Sequence, residues 1–332
     1  MLIDSLRPPV AFDSTRAAYK DWLHLNIFDH ASGSVGVINV SLHGAPDDPR
    51  ARAIGTGVFH TPGAGWVGNV EVSAMDDARI GLAAIGLPQV ALAVNHPAER
   101  VLASVLFPGD GLTVDVEAQA LTTPLVVEDP LPLGPGWLSW YAVPRLSVGG
   151  VATIRGRAHD LSNASAYFDH NWGRWHWGDD LGWEWGCFLA PAPGPALVFT
   201  RTTDRAHREF GQPLLTVRAA GTRRTFVGSA VGVVPGMLHV SRVRRLPGGL
   251  AALHQDRLAP ALPASMRITA SDGIDDVEIE FIAEGATQLV AADPAAHGYS
   301  FIHEIAGRFT SWGRVGGVDV SASGLGMIEH VD

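Results

Sequence analysis

Strict alternation of apolar and polar residues runs through this chain and constrains its fold more than any other feature. LTVDVEAQA, residues 112–120, changes character at nearly every position, and INVSL (38–42), VEIEF (277–281) and VDVSA (318–322) follow the same rule. A period of two marks a strand with one face on a core. Turn-forming clusters separate these runs: GAPDDP at 44–49, PGDG at 108–111, PGG at 247–249 and SDG at 271–273. Helical periodicity is scarce. DRAHREF, 204–210, is compatible with one helical turn. ARIGLAAIGLPQVALAV, 78–94, carries two internal glycines and Pro88, and reads as two strands and a turn.

Many strands on short turns make a sandwich or a barrel. A length of 332 residues is more than one such core needs. The expectation is therefore an all-β chain of two antiparallel β-barrel domains packed together, with few short helices. The domains are expected at 1–178 and 179–332, with the boundary somewhere in 160–196. APAPGPA, 190–196, has the composition of a linker. No internal repeat of 20–50 residues is visible in the sequence.

Composition narrows the function classes. With 46% hydrophobic and 17% charged residues the chain is globular. A formal net charge of -10 disfavours nucleic acid or an anionic membrane as partner. The local arginine groups, Arg223 with Arg224 and Arg242 with Arg244 and Arg245, read as solvated strand faces or turns. One cysteine, Cys187, excludes an intrachain disulfide and reads as a small packed side chain. MLIDSLRPPV lacks the pattern of a signal peptide, and no run of about 20 apolar residues offers a spanning helix. A soluble cytoplasmic protein is expected.

Chemistry concentrates in DHNWGRWHW, residues 169–177, and continues through DDLGWEWGCF, 179–188. Five of the ten tryptophans fall between Trp172 and Trp185. A buried carboxyl group stays protonated more readily than a solvated one, a histidine beside it relays a proton, and indole faces stabilise a cation. An acid with aromatic walls suits protonation of an alkene. The same residues also allow a bland reading, in which Asp169 and His170 bond each other and the tryptophans fill a structural seam. On a strand, Glu184 points opposite to Trp183 and Trp185. No phosphate-cradling loop, dinucleotide fingerprint or nucleophile elbow is present. HEIAG, 303–307, lacks the second histidine of a zincin, and the spacing of His170 and His176 fits no common metal site. No metal and no cofactor are expected.

AYFDHNWGRW resembles the Y-x-D-H-N/Q-W-G motif of the carotenoid hydratases (hydroxyneurosporene synthases) and their AttH-like relatives. WLSWYAVPRLSVGGVATIRGRAHDLSNA, which precedes it, and GLGMIEHVD, at the C-terminus, are also similar to that family, with Met327 where the family has tyrosine. The resemblance covers about half the chain at the level of motifs. It implies two lipocalin-like barrels and an apolar polyene or isoprenoid (terpenoid) substrate, to which water adds without cofactor. It implicates His170 and Trp172, and, through a Tyr-x-Asp pair, the segment Thr202 to Asp204, where threonine replaces the phenol. The expected catalytic set is Asp169, His170, Trp172 and Asp204. The expected substrate contacts are Tyr167, Asn171, Trp175, Trp177, Trp183, Trp185 and Thr202. Two other functions stay open: a pericyclase like the fungal decalin-forming Diels–Alderases, which share this architecture, and a lipid-binding protein without catalysis.

Overall fold

The computed structural model describes residues 5–8, 16–95, 100–126, 130–236, 243–245, 262–295 and 297–332. No α-helix occurs among them. The strands are β1 (Tyr19–Asp29), β2 (Ser34–His43), β3 (Arg52–Thr61), β4 (Gly65–Ala74), β5 (Arg79–Ile80), β6 (Ala84–Gly86), β7 (Val90–Asn95), β8 (Arg100–Phe107), β9 (Leu112–Ala120), β10 (Leu125–Val126), β11 (Leu131–Leu133), β12 (Gly136–Ile154), β13 (Arg157–Asp160) and β14 (Ser165–Arg174) in a first sheet. A second sheet holds β15 (Gly182–Leu189), β16 (Ala196–Thr203), β17 (Leu214–Ala219), β18 (Thr222–Val227), β19 (Val231–Pro235), β20 (Val243–Arg245), β21 (Ser265–Ser271), β22 (Asp276–Ala292), β23 (Tyr299–Val315), β24 (Val318–Asp319) and β25 (Ala322–Val331). One sheet curls into a half-barrel and the other into a nearly closed barrel, giving the all-β, two-barrel fold. The chain divides into two compact units. Unit 1 comprises Met1–His60, Val67–Asp179 and Ala291–Ser300; unit 2 comprises Thr61–Trp66, Asp180–Val290 and Phe301–Asp332.

Both sheets follow one plan. In the first, a meander runs β4-β3-β2-β1, β1 then pairs with the last strand β14, and the order continues β12-β9-β8-β7. In the second, the meander β18-β17-β16-β15 is followed by the last strand β25 and then β23-β22-β21-β19. Pairing the first strand with the last removes two exposed edges, each a row of unpaired backbone groups.

Alternation sets the faces as expected in β8 and β9, where buried and more exposed positions succeed one another. In β1 and β14 nearly every residue is buried, so polar residues occupy positions shielded from water on both faces. The unit 1 core takes Tyr19, Leu23, Leu25 and Ile27 from β1, and Ala166, Phe168 and Trp172 from β14. In β12 it takes Tyr141 and Val143, then Leu146 and Val148. That change of parity follows a register shift between Val143 and Leu146, a bulge carrying the Pro144–Arg145 pair.

Several sequence expectations change. Residues 78–94 hold three short strands, β5 to β7, where two were expected. DRAHREF is an irregular loop, because the Asp204 carboxylate captures the N–H groups of Arg208 (2.6 Å) and Glu209 (3.0 Å). APAPGPA is not a linker: it joins β15 to its antiparallel neighbour β16, with Leu189 opposite Ala196. VDVSA is split between β24 and β25. Arg223 and Arg224 lie on an exposed strand face, and Cys187 is buried. Arg242 and PGG at 247–249 lie outside the described residues.

Gly173 shows why the motif needs a glycine after its tryptophan. A Cβ there would stand 2.2 Å from the Trp137 carbonyl oxygen and 2.7 Å from the Trp175 ring. Backbone on one side and a buried indole on the other leave no room to give. Gly173→Ala is expected to destabilise the protein by about 1–3 kcal/mol through overpacking. Denaturant titration measures this; an unchanged midpoint would show that the strand relaxes freely.

Candidate functional site

β1 and β14 run antiparallel, with Leu23 opposite His170, Asp21 opposite Trp172 and Tyr19 opposite Arg174. Alternation puts Tyr19, Asp21 and Leu23 on the core side of β1, and His170, Trp172 and Arg174 on the core side of β14. Asp21 and His170 are both 0% exposed. A carboxylate in such a place persists only if its lone pairs are satisfied. Asp21 Oδ2 accepts the Arg7 backbone N–H (2.7 Å) and the Tyr19 hydroxyl (2.8 Å), and Oδ1 lies 2.8 Å from His170 Nε2. Burial, and then the Asp21 charge, hold the Tyr19 phenol well above its ordinary pKa, so it remains a donor.

This arrangement assigns the histidine tautomer. A carboxylate oxygen only accepts, so Nε2 carries the hydrogen. Nδ1 is then the nitrogen able to take a proton, and it is buried with no hydrogen-bond partner among the described residues. Trp172 lies against the imidazole, its ring centroid 4.8 Å away at 39°. The Arg7 guanidinium rests 4.1 Å from the Trp172 ring centroid, and that of Arg174 lies 5.9 Å from the Tyr19 ring.

The other sequence-predicted residues separate into groups. Tyr167, Asp169 and Asn171 point to the opposite face of β14, where Asp169 accepts the Tyr167 hydroxyl (2.9 Å) and the Asn171 amide (2.6 Å). Asp169 and His170 therefore do not bond each other and cannot address one atom together. Trp175 and Trp177 meet edge to face at 5.8 Å, and Trp22 meets Trp175 in the same way at 5.3 Å. Trp177 Nε1–H donates to His43 Nδ1 (2.9 Å). Burial, and then the Lys20 charge, keep His43 neutral and able to accept that bond. Trp183, Trp185, Thr202 and Asp204 belong to unit 2. Trp183 Nε1–H donates to Glu329 (2.5 Å), Thr202 lies opposite Trp183 across β15 and β16, and Asp204 shapes its loop.

Asp21, Tyr19, Arg7 and Arg174 escaped the sequence reading. The available signal was in YKDWLHL, where alternation sets a charged Asp21 between Tyr19 and Leu23 on a face that is otherwise apolar.

Unit 2 holds its own polar group. Arg201 clasps Glu184 through Nε (2.8 Å) and a terminal nitrogen (2.7 Å). His207 Nδ1 lies 3.1 Å from the other Glu184 oxygen, and its Nε2–H donates to the Val331 carbonyl (2.9 Å). Glu184, His207 and His330 bring three donor atoms within 4.8 Å of one another. The two imidazoles, however, stack at 3.7 Å with planes 8° apart. Parallel planes at that spacing cannot both contain one ion, and Arg201 already neutralises the carboxylate. The group does not suit a metal.

No family model matches the chain, and no curated protein resembles it in sequence. Solved structures do share its fold. A Nitrosomonas europaea protein provisionally designated AttH superposes with a TM-score of 0.67 at 15% identity, covering 98% of each chain. Kievitone hydratase from Nectria haematococca gives 0.62 at 13% identity, over 97% of this chain and 93% of the other. CghA with Sch210972 gives 0.57 at 13% identity, over 95% and 89%. At such identities the likeness establishes the fold alone.

The aromatic seam rests on Lys20, the only lysine in the chain. Its ammonium is fully buried, donates to the carbonyls of Trp175 (3.0 Å) and Ala18 (3.3 Å), and lies 3.8 Å from Asp293. Burial pushes its pKa from 10.5 to about 8, against the pull of Asp293 and Asp179. Between those values the unfolded chain holds a proton that the folded chain does not, so this group's contribution to stability rises with pH. Relative to Lys20→Met, the wild-type protein is expected to gain on the order of 3 kcal/mol between pH 8 and pH 10.5. Denaturation of both at the two pH values tests this; a constant difference would refute it.

Proposed function

We propose that this chain is a cofactor-independent acid–base enzyme of the hydratase or cyclase kind, acting on an apolar unsaturated small molecule of the polyene or isoprenoid class. The observation that carries the reading is the orphaned Nδ1 of His170. A fully buried imidazole held at Nε2 by a carboxylate and open at Nδ1 is arranged to transfer a proton. Leaving that nitrogen unpaired costs about 1–3 kcal/mol, which a bound substrate or water relieves.

In this reading Nδ1 takes the proton of a water molecule as its oxygen adds to an alkene carbon conjugated through the chain to a carbonyl, which holds the displaced electron pair as an enolate. The resulting imidazolium returns a proton to the other carbon, so that water is added and the histidine is regenerated. Asp21 stabilises the transient imidazolium and, with Tyr19, fixes the ring. Trp172 forms the wall along which an unsaturated chain lies. Asp169 and Asp204, both committed to neighbouring donors, are shaping residues and not the acid. A neighbour in fold that is a hydratase by name supports this class of chemistry.

His170→Gln, which fills the same volume, is expected to lower turnover by about 10²–10⁴-fold while the protein stays folded. The assay is mass spectrometry of product formed in deuterated water, using ligand extracted from the purified protein as first substrate. Full activity in the variant would sink the reading. Product lacking solvent deuterium at the reacting carbon would instead favour pericyclic closure, in which the site contributes shape alone.

A further inference from the structure

On the core side of β14, exposure rises along the strand. His170 is fully buried, Trp172 is 4% exposed and Arg174 is half-exposed. Arg7, also half-exposed, covers Trp172. Two guanidinium groups thus stand at the open end of the row whose deep end is the imidazole. They do not serve each other's needs. Arg7 Nε and one terminal nitrogen of Arg174 are buried without a hydrogen-bond partner among the described residues. Among the described residues no carboxylate pairs with either guanidinium, and Asp21 takes the backbone N–H of Arg7 and not its side chain. Among the described residues, the titratable groups facing this place are Tyr19, which keeps its proton, His170, and Asp21. Among the described residues, two fixed positive charges against one negative charge leave an excess of one. Guanidinium groups of partly exposed residues that have no carboxylate partner are the groups that bind carboxylates and other oxyanions.

Trp172 is already occupied by a cation. A substrate cation developing against that ring would meet the Arg7 charge, whereas an anionic oxygen would be drawn to it.

We propose that the unit 1 site takes an amphiphile with an anionic oxygen head, a carboxylate or an enolate, held by Arg7 and Arg174, with its unsaturated chain running along Trp172 toward His170. This substrate class rests on the reading of His170 as the proton-transfer group. Cα atoms four residues apart on a strand are separated by about 13 Å. The reacting carbons therefore lie several bonds from the head and not next to it.

Parinaric acid, a fluorescent polyene carboxylate, and its methyl ester are the probes, used with the full chain. The acid is expected to bind at least tenfold more tightly than the ester at low ionic strength, with a preference that shrinks as salt is added. Arg7→Met and Arg174→Met should each weaken the acid about tenfold and leave the ester unchanged, so that ester binding reports an intact fold. Equal binding of acid and ester, binding of neither, or arginine variants that lose both alike would overturn the proposal. The two readings fail separately. Acid preference that persists in His170→Gln, with no turnover found for any substrate, would keep the anion clamp and remove the enzyme. Turnover of a neutral polyene that is indifferent to both arginine variants would do the reverse.

Discussion

A single carboxylate shielded from water organises the first half of this molecule. Asp21 cannot remain charged in its position without donors on both oxygens, and the three it has come from its own strand, from the segment before it and from the far end of the unit: Tyr19, Arg7 and His170. Removing one partner of such a buried group costs about 3–5 kcal/mol, because the rest is left uncompensated. The same requirement brings the segment holding Arg7 onto the ring of Trp172, joins the first strand of unit 1 to its last through side chains as well as backbone, and dictates which nitrogen of His170 is free. Stability and proposed chemistry thus share one set of bonds.

The DHNWG motif then divides into parts with different tasks. His170 and Trp172 face the core, where the proposed chemistry lies. Asp169 and Asn171 face the other way and tie the strand to Tyr167. Gly173 admits the Trp137 carbonyl and the Trp175 ring. A strand can carry both messages because its side chains alternate, and one substitution in the motif has no reason to resemble the next in its effect.

How far the sequence was legible depends on how local the cause was. Period-two alternation in LTVDVEAQA and its counterparts is a property of neighbouring residues, and the all-β class followed from it. Asp204 was visible as a carboxylate, but its capture of two backbone N–H groups depends on the path of the loop. Asp21 pairs with a residue 149 positions away, which no local pattern announces. Adjacency in sequence also misled: Asp169 and His170 are neighbours in the chain and for that reason opposite in the sheet. The shared strand order of the two sheets left no trace as a repeat, since the plan constrains pairing and burial while leaving side-chain identity free. The polar groups on the two core sides show this. One is built on Asp21 and His170, and the other on Glu184, Arg201 and His207.

Lys20 is the only lysine among 332 residues, and its ammonium is sealed in unit 1. Apart from the α-amino group, the folded chain therefore offers no primary amine to its surroundings. Any chemistry that marks lysine, whether an acylating reagent, an aldehyde or an enzyme attaching a carbonyl to the side chain, has nothing to act on until β1 leaves its neighbours. One modification at Lys20, distinguished by position from one at the α-amino group, would then record one opening event. The arrangement makes the protein a reporter of its own local unfolding, readable by mass, without any engineered label.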